Sequence, residues 1–412
     1  MKHLIAGLTA AALLGAPVMA DTQGVTADSI KLGTYTDLSG PLAVWGVPSV
    51  NGMRMRIEEA NAAGGVHGRT IELVVEDMQY QVPRAVQAAN KLIRRDKVFA
   101  MLGSLGTPMN LAVMPNQLKA GVPNMYPLTG AQSMTDPVNP MVYSFFRSYR
   151  EQFRAAVAHF HANGGFSTPC VAQLANEAGE EMTHGVEEQL AVIGMEIVAK
   201  TEHAATETDL TSSVTTLKNA GCDIVFLSTS VRDTIITVAT AKKLGFEPIF
   251  VTSMVPYMDA VAGAAGGAMQ DLHLVSPFVY EYAANAEGEA KRILEAYEAE
   301  HGKAMEPQAQ LGYIFADLTI KALEAAGKGI TANAICPGYV LTPLVEAQIP
   351  DQMKTHNMDR ETVIKNVMLE RQPSRQFATT EEIGGTTVFL CSESAKQITG
   401  TTISVDGGWT AL

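Results

Sequence analysis

The side chains best suited to chemistry in this sequence are His159 and His161, the carboxylate pairs Glu180-Glu181 and Glu187-Glu188, and four cysteines. The two histidines fall in SYREQFRAAVAHFHAN, whose pattern predicts a helix. Helix residues two apart point about 200° around the axis, so they do not share one ion. The paired glutamates sit on the next predicted helix and read as exposed charge rather than acid/base machinery. Cys170 (TPCVAQL) and Cys222 (AGCDIVFL) each open an apolar run that reads as a strand, at the same end of one parallel sheet. A disulfide and two separate buried thiols are both open readings. Cys336 and Cys391 imply no pairing. No catalytic constellation or metal set emerges, so the elements that carry these residues must say more.

The chain has 412 residues, 47% hydrophobic and 18% charged, enough for two or three packed domains. A formal net charge of -13 and a pI near 5.2 make a nucleic acid an unfavourable partner, because phosphate binding relies on clustered Lys and Arg. Lys2 and His3, the apolar Leu4 to Leu14, and Ala16-Pro-Val-Met-Ala20 before Asp21 follow the order of a secretory signal, predicted over residues 1–20. That run is too short to span a bilayer, and no other segment approaches eighteen uninterrupted apolar residues. The expectation is a mature periplasmic chain without direct membrane insertion after signal cleavage.

Strands and helices then alternate. IKLGTYT, TIELVVED and VFAMLGS read as strands, with LSGPLAVWG a loop carrying Trp45. Helical spacing is found at Val50 to Ala60, through Val86 to Ile93 and from about Met109. MVYSFFR is an extended run fit to cross to a second series: helix SYREQFRAAVAHFHAN, strand CVAQLA, helix Glu180 to Ile193, strand MEIVAKTEH, helix Asp209 to Ala220, strand DIVFLS, helix Val231 to Leu244 and strand PIFVTS. LHLVSPFVY would cross back, before helices near Asn285 to His301 and Pro307 to Ala326. The pattern predicts an α/β chain of two doubly wound parallel-sheet lobes, with ligand contacts at the carboxyl ends of the strands.

LSGPLAVWG, NGMRMRIEEANAAGGVHGRTIELVVED, LGTPMNLAVMPNQLKAGVP and GYIFADLTIKALEAAGK together resemble the type I periplasmic binding proteins, in the leucine/isoleucine/valine-binding branch of ABC importers, over about residues 21–327. The resemblance implies two lobes joined by three crossings that close on a small molecule, a membrane permease as partner, no cofactor and no catalysis. It implies lobe one at 21–142 with part of 307–329, lobe two at 143–277, and a connecting helical region at 278–306. It places Trp45 where an aromatic packs on the ligand, Ser104 and Thr107 where a carboxylate is held, and Thr129 and Gly130 in a neighbouring contact loop. Hydroxyls and N–H groups at a strand end and helix start form such an anion site without Lys or Arg; the same hydroxyls would equally cap a helix. Asn176, Ser228 and Ser230 are the polar candidates of lobe two. Relatives carry a tyrosine where this chain has Ala178-Gly179 and an acid where it has Met254. A buried ammonium without a carboxylate is costly, so the expected ligand is a carboxylate or amide lacking an α-amino group.

From Thr331 the text changes character. TANAICPGYVLTP and RQPSRQFATTEEIGGTTVFLCSESAKQITGTTISVDGGWTAL read as strand, helix and strand, one βαβ unit. Over residues 330–412 they resemble the C-terminal part of the short-chain dehydrogenase/reductases, of the D-3-hydroxybutyrate dehydrogenase type, which suggests the alternative of an NAD-dependent 3-hydroxybutyrate dehydrogenase. That resemblance sets Pro337, Gly338, Val340 and Thr342 beside a nicotinamide, and Gln348 and Trp409 beside a hydroxy acid. The family's Tyr-x-x-x-Lys is missing: none of the eleven tyrosines has a lysine four positions later. Gly327-Lys328-Gly329 lacks both the preceding strand and the further glycine of a dinucleotide loop. The join lies within Lys321 to Ile330. The relatives' usual continuation beyond this helix, which finishes lobe one and the hinge, is replaced by a tail expected to be a poorly packed, non-catalytic remnant.

Overall fold

The β-branched and aromatic run SIKLGTYT forms β1 (Ser29–Thr36), buried along nearly its whole length, and the first sheet assembles on both sides of it. In the computed structural model, which describes residues 22–327, 334–390, 392–395, 398 and 401–411, β2 (Thr70–Asp77), β3 (Ala100–Leu102), β4 (Asn124–Met125) and β5 (Val142–Tyr143) complete it. The order is β2-β1-β3-β4-β5 and every pair is parallel. The predicted signal segment lies outside the described residues, and part of the join does too.

Helices α1 (Ala43–Ala62), α2 (Val82–Arg94) and α3 (Thr107–Lys119) connect these strands. In α2, Ala85, Ala88, Ala89, Leu92 and Ile93 recur on one buried stripe, with Pro83 in the first turn and Lys91 and Arg94 in the last. The second lobe follows with α4 (Tyr149–Ala162), β6 (Pro169–Leu174), α5 (Glu177–Val192), β7 (Ala199–His203), α6 (Thr211–Asn219), β8 (Ile224–Ser228), α7 (Val231–Lys243), β9 (Ile249–Thr252), α8 (Asp259–Ala262) and β10 (Leu272–Leu274). Its parallel order is β10-β9-β8-β6-β7. Cys170, opening β6, and Cys222, just before β8, are joined by a disulfide with Cα atoms 5.9 Å apart. Cys336 is free, and Cys391 lies outside the described residues.

The chain then returns through α9 (Gly288–His301) and α10 (Pro307–Gly327). Two glycines let α10 cross α1 at close range. A Cβ on Gly52 would stand 1.9 Å from the Ala309 carbonyl oxygen, and one on Gly312 would stand 1.9 Å from that of Ser49. Arg56 reaches across the same seam to Asp317 at 2.9 Å, and Lys321, one turn further along α10, holds the same carboxylate at 2.7 Å.

Beyond the join, β11 (Ala334–Pro337) pairs in parallel with β12 (Thr402–Val405) as a separate two-stranded sheet. Between them lie α11 (Pro343–His356), α12 (Arg360–Val363), a π-helical turn at Ile364–Met368 and α13 (Thr380–Leu390), a longer connection than one βαβ helix. Neither hydrophobic core of the upstream part includes a described residue beyond Leu323. Helix α13 has no described buried residue, and Val388 is 71% exposed.

The sequence reading needs correction at three points. Helix α1 starts seven residues before Val50, so Trp45 stands in its first turn and not in a loop. Pro48 disguises this, because proline inside a helix normally marks an end. The Asp37 carboxylate accepts from the N–H groups of Gly40 (2.5 Å) and Leu42 (2.7 Å) and so anchors the earlier start. MVYSFFR and LHLVSPFVY each begin as an edge strand, β5 and β10, before they cross. Glu181 is half-buried, and Glu188 pairs with Arg150, so neither is merely exposed charge. Among the described residues, no helix is long and apolar enough to cross a membrane, and no group of three or more His, Cys, Asp or Glu could hold a metal.

Candidate functional site

The carboxyl ends of the two sheets face one another across a narrow cavity, part of it open to solvent. Lobe one supplies Trp45 after β1, Tyr80 after β2 and Thr107 after β3. Lobe two supplies Asn176 after β6, Ser228 to Ser230 at the end of β8, and Met254 and Val255 after β9. This is where parallel α/β sheets present loops and helix N-termini. Trp45 is 3% exposed, and its indole Nε1–H donates to the Val255 carbonyl at 2.9 Å, a direct bond between lobes.

Of the expected contacts, Trp45, Thr107, Asn176, Ser228 and Ser230 line the cavity; Ser104, Thr129 and Gly130 do not. Ser104 is fully buried, and its carbonyl accepts from Asn110 Nδ2 and Leu128 N–H, both at 2.9 Å, which turns the residue into the lobe core. Thr129 stands one layer back, its Oγ1 2.5 Å from that of Thr107 and accepting from Ala131 N–H at 3.1 Å. Gly130 makes room: a Cβ there would come within 2.8 Å of the Tyr149 ring, and its carbonyl accepts from Tyr149 N–H at 2.6 Å. Asn176 caps α5, with Oδ1 accepting from Gly179 N–H at 2.9 Å. Ser228 accepts from Thr183 Oγ1 at 3.0 Å.

The sequence reading missed Tyr80, Tyr149 and Met182, all on the wall. Tyr80 is aimed inward by two consecutive left-handed residues, Gln79 (φ 51°) and Tyr80 (φ 52°). Its place beyond the end of β2 was the available signal. Burial pushes the hydroxyls of Tyr80 and Tyr149 above the ordinary phenol range, so both stay protonated donors. No charged side chain lines the cavity among the described residues; Met254, where relatives were expected to carry an acid, is 2% exposed on its wall.

The tail holds two adjoining hollows. One is bounded by Pro337, Gly338, Asp406 and Trp409, the other by Gln348, Arg371 and Trp409. Val340 and Thr342 line neither: Val340 bridges Ala378, and Thr342 caps α11 by accepting from Val345 N–H. Among the described residues, the two-stranded sheet carries no glycine-rich loop able to cradle a pyrophosphate, so these residues do not fit a dinucleotide.

A periplasmic binding protein model matches residues 29–362, and an enoyl-(acyl carrier protein) reductase model matches residues 319–410. A "Leu/Ile/Val-binding protein homolog 7" of Brucella suis is 27% identical over 352 residues, covering 81% of this chain and 84% of that one. The "D-beta-hydroxybutyrate dehydrogenase" of Rhizobium meliloti is 56% identical over 90 residues, 22% of this chain; the chain spans about a third of that relative, 35%. A solved "fatty acid ABC transporter substrate-binding protein" from Thermomonospora curvata superposes with a TM-score of 0.66 at 23% identity, covering 74% of this chain and 78% of that one, and shares the fold.

Proposed function

The chain belongs to the periplasmic binding protein family, and from that premise we propose that it is the solute-binding component of an ABC importer, capturing a small organic carboxylate or amide in the periplasm for a membrane permease. The observation that carries this reading is the cavity between the carboxyl ends of two facing sheets, bridged by Trp45 and Val255. A wall of leucine, methionine and aromatic side chains gives apolar affinity, and a few hydroxyls and amides orient the ligand. Thr107 opens α3, whose N-terminus favours the ligand's negative or carbonyl end.

The tail acts as a non-catalytic passenger in this account. Hydride transfer needs a bound dinucleotide and a poised proton donor, and the described tail offers neither. The test is calorimetric titration of the full chain with a panel of organic acids, amides and amino acids. A saturable heat with at least one of them is expected; a flat response throughout would contradict the reading.

A further inference from the structure

We infer that the lobe-two wall at Ser230 is an acceptor-only surface that reads a neutral O–H or N–H on the ligand, so that the ligand is a hydroxy acid or amide and not an amino acid. This inference rests on the binding role proposed above.

The Ser230 hydroxyl donates its single proton to Asp233 Oδ2 at 2.5 Å. A carboxylate only accepts, so that proton is fixed inward and Ser230 Oγ faces the cavity with lone pairs alone. Thr229, beside it on the wall, follows the same rule. Thr234 Oγ1 donates to the Ser230 carbonyl at 2.7 Å, so the 2.7 Å contact between the Thr229 and Thr234 hydroxyls is donated by Thr229. Two adjacent wall hydroxyls therefore have acceptors, and no protons, to offer.

Asp233 is 1% exposed and is the positioning residue behind this wall. Arg232 binds it through Nη2 at 3.1 Å and Nε at 3.3 Å, and His203 Nε2 lies 3.9 Å away. Burial opposes its charge, but His203, Ser230 and Arg232 outweigh burial and hold the carboxyl below its usual range. Because Arg232 balances Asp233, the wall offers polarised oxygen without net negative charge. An ammonium placed there would lose its hydration without gaining a counter-charge; a hydroxyl or amide N–H loses little and gains a bond. On the opposite wall, Thr107 stands in the first turn of α3, whose N-terminus favours a carbonyl or carboxylate. The ligand's carbonyl or carboxylate thus faces lobe one and its donor faces lobe two.

The test is titration calorimetry on the full chain with 2-hydroxy-4-methylpentanoate, its 2-methoxy and 2-deoxy counterparts and leucine, repeated with the corresponding 3-phenylpropanoates and phenylalanine. In the better-binding series, the hydroxy acid should bind about 10-fold more tightly than the other three. Ser230→Ala should bring the hydroxy/deoxy ratio towards one, and Asp233→Asn should reduce the hydroxy/methoxy ratio, since Ser230 could then donate. A merely structural role for either residue would lower all affinities together. Equal or tighter binding of the deoxy acid or the amino acid, or a ratio untouched by Ser230→Ala, would overturn the inference while leaving solute binding intact. Binding by no member of either series would overturn this inference; only a flat response across the wider panel of acids, amides and amino acids would overturn solute binding as well.

Discussion

Trp45 Nε1–H donates to the main-chain carbonyl of Val255 at 2.9 Å, joining residues 210 positions apart and on opposite lobes. The bond ties the start of α1 to the loop after β9, both on the cavity wall. Trp45→Phe keeps an aromatic ring but removes the indole donor together with part of the buried ring surface. It should weaken binding of the best ligand by about 2- to 10-fold, the size of one net hydrogen bond. Calorimetry checks this, and an unchanged affinity would show that the contact does not help hold the lobes together.

The disulfide closes a chain segment of 52 residues between two buried sulfurs. Replacing Cys170 and Cys222 together with alanine should lower the unfolding free energy by about 2–4 kcal/mol, chiefly by releasing the unfolded chain. Urea unfolding in the absence of reductant measures it; coincident curves for the two proteins would be the contrary result.

Glu181 gives a pH signature. Burial raises its carboxyl pKa, only partly offset by the Gln132 N–H, Arg150 and His184. A carboxyl with a raised folded-state pKa favours the folded state where it is protonated and loses that contribution as pH rises through the folded value. Glu181→Gln, neutral throughout, should therefore be more stable than the native chain at neutral pH. Its advantage should shrink as pH falls toward the carboxylate range. Urea midpoints compared across pH test the sign, and an advantage that grows on acidification would refute it.

The tail should be dispensable. The cores of the binding lobes hold no described residue past Leu323, so a chain ending at Gly327 should bind the same ligand with unchanged affinity. The full chain should give no NADH absorbance with NAD and 3-hydroxybutyrate. Loss of binding on truncation, or a measurable rate, would contradict this account of the segment.

Much of this was legible from the residues. Alternating apolar strands and 3.6-period helices gave both parallel sheets, and the resemblance to the type I periplasmic binding proteins pointed to Thr107, Asn176, Ser228 and Ser230, which line the cavity. What escaped depended on contacts distant in sequence. Tyr149 reaches the wall because Gly130 has no side chain, the Trp45 bond ends on a backbone carbonyl, and Tyr80 turns inward through two left-handed residues. Ser104 misled because residues at a strand end alternate between wall and core, and only packing decides which is which.

The most direct measurement uses the two tryptophans. With Trp409→Phe, Trp45 alone reports from the cavity. Titrating that chain with the acid, amide and amino-acid panel should give a saturable change in emission with one class of sites. Emission unchanged by every compound, with calorimetry equally flat, would contradict a cleft that closes on a solute.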